Sequence, residues 1–249
     1  MKPYFETKLG KLYHGDCLEI MPKLEPVDLV LTDPPYGTTA CKWDSVIPFE
    51  PMWDNLKRII KNNSAIIMTA SQPFTTSLIS SNMKMFKYCW VWKKQKPTNF
   101  YQVKWQPLKE HEDIIVFCNG VPKYNPQNTI SVNVKNGRKN KSSNLYNKYN
   151  GGDYVQKTGN YPRTIQFFPT NGDVGRLHPT QKPVALMEYL IKTYTNKCDI
   201  VLDFCIGSGT TAIACERLNR QWIGIEKEEE YCEIAAKRIE AEYKQRKLF

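Results

Sequence analysis

Along the chain, short and nearly continuous apolar runs alternate with segments whose apolar residues recur at every third or fourth position. Val27, Leu29, Val30 and Leu31 form one such run, as expected for a strand covered on both faces. Residues 51–61, PMWDNLKRIIK, place Trp53, Leu56 and Ile60 on one helical face, and SAIIMTA from Ser64 reads as the next buried strand. QPFTTSLISSNM predicts a second helix opened by Pro73 near its first turn, and KYCWVWKK and HEDIIVFCN predict two further strands. Beyond residue 177, KPVALMEYLIKTY starts a helix at Pro183 with Met187, Leu190, Ile191 and Tyr194 turned inward. The strand DIVLDFC follows, then a turn, a helix from about Thr210 and the strand WIGIE. A last helix from about Glu228 carries Tyr231, Ile234, Ala235, Ile239 and Tyr243 as a packing stripe. This alternation predicts an α/β fold, a mainly parallel sheet with helices on both faces.

One segment breaks the pattern. Residues 120–177 show no sustained period and are thick with Asn, Gly and Tyr, which reads as loops and short strands inserted between two halves, 1–119 and 178–249. Charge concentrates there. The segment from Gly120 to Arg176 holds nine Lys or Arg against Asp153 and Asp173, which is +7 of the chain's net +10. A solvated linker is one reading of it. The mixture of cations, amides and tyrosines also suits phosphates, base edges and stacking, with Lys135, Arg138, Lys139, Lys141 and Lys148 as the candidate nucleic-acid contacts.

Composition excludes several classes. With 41% apolar and 12% aromatic residues in 249, the chain can bury a large core. No run approaches the 18 or so apolar residues of a spanning helix, and the start MKPYFETKLGKLYHGD lacks a signal peptide's apolar stretch, so a cytoplasmic protein without a membrane role is expected. Cys17, Cys41, Cys89, Cys118, Cys198, Cys205, Cys215 and Cys232 never fall as C-x-x-C and make no ligand spacing with the three histidines. Reduced thiols and no metal are the expectation.

Two short stretches carry chemistry. Where the run from Val27 ends stands Asp33-Pro34-Pro35-Tyr36. The prolines remove N–H donors and fix φ, so the strand stops and becomes stiff where open α/β sheets bind their ligands. By itself it could be only a turn. The second stretch is DIVLDFCIGSGTTAIACERLNRQWIGIEKEE, in which a strand ends at Asp203, Gly207-Ser208-Gly209 make the turn, and Glu226 follows Gly207 by 19 residues. Glycines admit a ligand close to the backbone, and an acid at that distance suits ribose hydroxyls. Gly207-x-Gly209-x-x-Ala212 also fits a dinucleotide fingerprint, which leaves a nicotinamide enzyme to be weighed.

Taken together, the two motifs resemble the S-adenosylmethionine-dependent amino-methyltransferases that methylate exocyclic nitrogens of DNA bases. In that family the catalytic motif is D/N/S-P-P-Y/F/W, here Asp33 to Tyr36, and the cofactor motif is similar to D-x-F-x-G-x-G-T, here DFCIGSGT with Phe one place early. HGDCLEIMPKL, PLKEHEDIIVF and HPTQKPVALMEYLI agree with it, and the order of motifs resembles the circularly permuted β class. The resemblance implies a Rossmann-like class I methyltransferase fold whose product is S-adenosylhomocysteine. Asp rather than Ser at position 33 favours adenine N6, with cytosine N4 as the enzymatic alternative and a non-catalytic DNA-binding module as the alternative of another class.

Site roles follow from the same resemblance. Asp33 and the Pro34 carbonyl would hold the amine of a base flipped from double-stranded DNA, with Tyr36 stacked on it. Asp203, Phe204, Cys205, Gly207, Ser208, Gly209, Thr210 and Glu226 would surround the cofactor, joined by Asp33, by His178 and Lys182 at the methionine end, and by Asp16 and Cys17 at the adenine. Permutation implies that KLYHGD, ending at Asp16, lies beside WIGIE in the sheet. GTTACKWD would close on the base, with Trp43 more a core residue than a contact. A bacterial or phage source, a homodimer and a cognate restriction endonuclease are further expectations of the family.

Overall fold

The computed structural model describes residues 1–39, 41, 44–128, 134–136, 154–156, 160–169 and 181–246. His178, Trp43, Arg138, Lys139, Lys141 and Lys148 lie outside them. The chain divides into two compact units, Met1–Asn125 with Thr164–Phe249, and Pro126–Arg163. In the smaller unit, β7 (Val134–Asn136) pairs antiparallel with β8 (Tyr154–Gln156), and Lys135 lies opposite Val155.

The larger unit is built on a sheet whose described strands run β1-β2-β11-β10-β3-β4-β6-β5-β9. They are β1 (Phe5–Glu6), β2 (Gly10–His14), β3 (Val27–Thr32), β4 (Ile60–Ala70), β5 (Phe86–Thr98), β6 (Lys109–Cys118), β9 (Ile165–Phe167), β10 (Ile200–Asp203) and β11 (Gln221–Glu226). The centre, β2-β11-β10-β3-β4, is parallel, while β6 and β5 close one side antiparallel. β11 lies beside β2 with Trp222 opposite Gly10 and Glu226 opposite His14. The first and last parts of the chain thus complete one sheet, as the permuted order implied.

Helices cover both faces. They are α1 (Cys17–Ile20), α2 (Phe49–Ile59), α3 (Phe74–Ser81), α4 (Val184–Tyr194), α5 (Thr210–Leu218) and α6 (Glu229–Arg246). Strand alternation sorts the core into two layers. Leu29 and Leu31 pack with Leu186, Leu190 and Ile213 from α4 and α5, whereas Val30 packs with Trp53, Leu56 and Leu78 from α2 and α3. Leu56 is fully buried, so truncating it to Ala would cost about 2–5 kcal/mol.

Two boundaries differ from the periodicity. α2 buries Met52, Trp53, Leu56 and Ile59, and Ile60 instead opens β4 opposite Val27. The N–H of Ile60 still reaches the Leu56 carbonyl, but its backbone is already extended. The exposed Lys61, Asn62 and Asn63 concealed the early start of the strand. At the other end, β2 stops at His14, and Asp16 caps α1 by accepting the Leu18 N–H at 2.9 Å.

Candidate active site

The loops that leave β2, β3, β10 and β11 all emerge at the carboxyl edge of the parallel strands, where open α/β sheets bind ligands. A cavity of about 390 Å³ opens among them, bounded also by Gln181 and Lys182 before α4. Asp16, Cys17, Asp33, Pro34, Pro35, Tyr36, Lys182, Asp203, Phe204, Cys205, Gly207, Ser208, Thr210 and Glu226 all line it. The catalytic and cofactor motifs, some 170 residues apart in sequence, therefore face one space.

The glycine turn divides its work. Gly207 has φ of +52°, and a Cβ there would meet nothing within 4 Å, so its bare backbone leaves a cradle open to the cavity. Gly209, at φ +84°, faces away: a Cβ would stand 3.2 Å from the Ala235 side chain and 3.3 Å from its backbone. It is needed for α5 to pack on α6. The carboxylate of Glu226 ties the turn to β11, accepting the N–H groups of Gly207 (2.8 Å), Lys227 (2.8 Å) and Glu228 (2.9 Å). Burial raises its pKa against the opposing pull of these bonds.

Asp203 is a brace. It is 4% exposed and accepts hydrogen bonds from the hydroxyls of Thr32 (2.7 Å) and Thr211 (2.6 Å) and the N–H of Cys205 (3.2 Å), which joins β10, β3 and α5. Burial pushes its carboxyl up to about 6. Bonding to Cys17, then burial, raises the Cys205 thiol well above the cysteine range, so it is not a ready nucleophile.

Asp33 stands just past β3, and its carboxylate is engaged on both oxygens. The Tyr36 hydroxyl donates to Oδ1 at 2.7 Å, the Thr69 hydroxyl donates to the same oxygen, and the Lys182 ammonium donates to Oδ2 at 2.5 Å. Lys182 also forms an ion pair with Glu112 at 3.2 Å, and Lys94 reaches Glu112 at 2.5 Å. Burial lowers the Lys182 pKa, but the charges of Asp33 and Glu112 outweigh it and the net shift is upward. For Glu112 burial acts upward and the two lysines bring the net shift down. Burial, then the charges of Asp33 and Glu112, hold the Tyr36 phenol well above its ordinary range, so it stays protonated and donates.

Several of these features have no signature in the sequence. Lys182, expected at the cofactor's methionine end, has its charge matched by Asp33 and Glu112. Tyr36 already has a ring neighbour, Phe74, stacked at 5.2 Å. Glu112 and Thr69 gave no signal, because an acid and a threonine inside strands read as solvent-facing positions. Asp44 pins the loop after Tyr36 by accepting the N–H groups of Gly37, Thr38 and Thr39 at 2.7–2.9 Å. Its spacing after a Gly-Thr-Thr turn was the available hint. Tyr231, assigned to a packing stripe, lines the cavity instead. Among the described residues no three His, Cys, Asp or Glu gather as metal ligands, and no helix is long and apolar enough to cross a membrane.

A twisted parallel sheet with a glycine turn, a ribose-range acid and a proline-stiffened acid in one cavity defines a class I methyltransferase. The sequence matches the DNA methylase family of the N6/N4 type over residues 27–237, and the chain belongs to that family. It is 27% identical over 270 residues to Type II methyltransferase M2.DpnII of Streptococcus pneumoniae, covering 97% of this chain and 93% of the relative. It is 29% identical over 255 residues to DNA adenine methyltransferase YhdJ of Escherichia coli (strain K12), covering 95% and 84%. The crystal structure of the M1.HpyAVI–SAM complex superposes with a TM-score of 0.63 at 26% identity, over 92% of this chain and all of that one. The protein is a DNA methyltransferase.

Proposed function

We propose that the chain moves a methyl group from S-adenosylmethionine to the N6 amine of an adenine flipped out of double-stranded DNA. The observation that carries this reading is the meeting of Asp33–Tyr36 and the Gly207 cradle in one cavity. A volume of about 390 Å³ is in the range of small-molecule sites. The lining fits a nucleoside: the Glu226 carboxylate to accept from the ribose hydroxyls, the Asp16 carboxylate to accept from the adenine amine, and the bare backbone at Gly207 for close approach. When bound, the cofactor supplies a methyl group on a cationic sulfur.

The protein's part is orientation. An exocyclic amine shares its lone pair with the ring and is a poor nucleophile. Hydrogen bonds from the amine to the Asp33 carboxylate and the Pro34 carbonyl favour a more tetrahedral nitrogen whose lone pair is free to attack. The prolines, Thr69 and Lys182 hold those acceptors still, which is where preorganised electrostatics gains its effect. The proton lost by the methylated amine leaves past the same carboxylate. Asp at position 33, and a relative whose name specifies adenine, support N6 over cytosine N4.

Membership in restriction–modification systems, as with the Type II relatives, fits a partner endonuclease acting on the same site. Expression in a methylation-free host, followed by modification-sensitive genome sequencing, tests the reading. N6-methyladenine in one short motif is expected, and none with Asp33→Ala. N4-methylcytosine would overturn the choice of base.

A further inference from the structure

β5 and β6 form a hairpin that outruns the sheet. β6 stays paired with β4 only as far as Asp113 opposite Ala70, while its pairing with β5 continues through Glu112 opposite Trp92 to Lys109 opposite Thr98. The extension leaves at the carboxyl end of β4, the edge on which the cavity opens, and Glu112 lines that cavity. β6 advances three residues from Glu112 to Lys109, about 10 Å at a strand's rise, while β5 spends six from Trp92 to Thr98 over the same stretch with a break in register after Lys93.

The tip is ordered, and its rings are exposed. Asn99, in the left-handed region at φ 69°, starts a short turn that closes with the N–H groups of Gln102 and Trp105 donating to Asn99 and Gln102 at 3.0 and 2.9 Å. On this turn Tyr101 is 96% exposed, Trp105 80%, Phe100 61% and Val103 56%. Large apolar side chains gathered in the open mark an interaction surface. From Lys93 to Lys109 the sequence holds five lysines, at 93, 94, 96, 104 and 109, and no acid; Lys93 and Lys94 pair with Glu110 and Glu112 at the foot of the hairpin, so Lys96 and Lys104 are the cations nearest the tip. Exposed rings among cations match nucleic acid, whose bases stack and whose phosphates are anionic. A second copy of this chain would oppose the same lysines with lysines.

We infer that this hairpin tip is a DNA-contacting element separate from the 120–177 insertion, with Tyr101 and Trp105 stacking on bases next to the methylated nucleotide and Lys96 and Lys104 meeting phosphates. The inference rests on the DNA-methylating function proposed above. The foot of the hairpin is tied to the reacting centre by an unbroken run of ion pairs, Lys94–Glu112 (2.5 Å), Glu112–Lys182 (3.2 Å) and Lys182–Asp33 (2.5 Å). Extruding a base leaves a gap in the stack, and proteins that distort DNA fill such gaps with apolar wedges.

The test compares the wild-type chain with Tyr101→Ala/Trp105→Ala, Tyr101→Phe/Trp105→Phe and Lys96→Ala/Lys104→Ala. Each is titrated with a duplex carrying the methylation motif mapped by genome sequencing. The alanine pair at the rings is expected to weaken duplex binding between about 5-fold and 100-fold per ring lost, and the phenylalanine pair to restore most of it. The lysine pair is expected to flatten the salt dependence of affinity. S-adenosylmethionine affinity should match wild type in all three, since none of these side chains lines the cavity. Equal duplex affinity in the alanine pair, with wild-type methylation intact, overturns the hairpin assignment. So does a wild-type dimer that the alanine pair dissociates without loss of DNA affinity. Failure of the wild type itself to methylate DNA would refute the function and not the hairpin alone.

Discussion

The ammonium of Lys182 donates to Oδ2 of Asp33 at 2.5 Å across 149 residues of sequence, and both side chains face the cavity. Lys182 is 5% exposed, so this contact lies in a region of weak screening. In the proposed reaction it would make Lys182 a positioning residue for the Asp33 acceptor.

Lys182→Met keeps the stem and removes the charge. Asp33 would then lose its cation while Glu112 keeps Lys94, and breaking a buried pair this way costs about 3–5 kcal/mol of stability. The expected outcome is a much lower kcat with S-adenosylmethionine affinity nearly unchanged. Isothermal titration against single-turnover rates separates the two. A large loss of cofactor affinity with normal turnover would place the lysine at the cofactor's carboxylate instead.

For Tyr36 the structure revises what the motif alone implied. Stacking on a base needs only a ring, so Tyr36→Phe would be mild. The hydroxyl, however, donates to Asp33 at 2.7 Å, and a hydrogen bond to a charged group contributes about 1.5–3 kcal/mol. Tyr36→Phe should therefore lose roughly 10-fold to 100-fold in kcat, with Tyr36→Ala lower still. Rates equal to wild type in the Phe variant would show that the hydroxyl is released before the transfer.

Legibility followed periodicity and backbone chemistry. The strands at Val27–Thr32 and Ile200–Asp203 and the helix at Val184–Tyr194 have apolar spacings that admit one reading. Asp33–Tyr36 and Gly207–Gly209 could be found because proline and glycine fix backbone geometry locally. What stayed hidden depends on contacts between distant segments. Glu112 gains its role only when β6 lies beside the Lys182 loop, and Tyr231 only when α6 sets one edge of its stripe toward the cavity. Ile60 misled because a residue can satisfy a helix period and still be the first to adopt extended backbone.

Asp203 gives a pH dependence of defined sign. Its carboxyl, raised from 3.8 to about 6 by burial, binds a proton more tightly folded than unfolded, so its contribution to stability falls as pH rises from about 4 to 6. The full swing is roughly 3 kcal/mol. Asp203→Asn lacks this titration. Its stability relative to wild type should therefore improve from pH 4 to 7, whatever constant cost the lost Thr32 or Thr211 bond adds. Urea unfolding of both proteins across that range is the measurement, and a pH-independent difference would mean that Asp203 has the same pKa folded and unfolded.

In the proposed site Glu226 would join the turn to the cofactor. Its carboxylate receives three backbone N–H groups and still faces the cavity at 9% exposure, so it both shapes the Gly207 cradle and has lone pairs left for ribose hydroxyls. Glu226→Gln puts an amide N–H₂ where one of those donors must point, and it removes the charge from the acceptor. S-adenosylmethionine affinity should fall by about 1.5–3 kcal/mol, the range for hydrogen bonds to a charged group. Because burial raises the Glu226 pKa, wild-type affinity should also decline on mild acidification, as the carboxylate takes a proton and loses acceptor strength. The Gln variant has no such proton to take and should show a flat profile. Calorimetric titrations of both proteins at several pH values test the two effects together: parallel profiles, or an affinity equal to wild type at neutral pH, would remove Glu226 from the cofactor site and leave it only the backbone turn to hold.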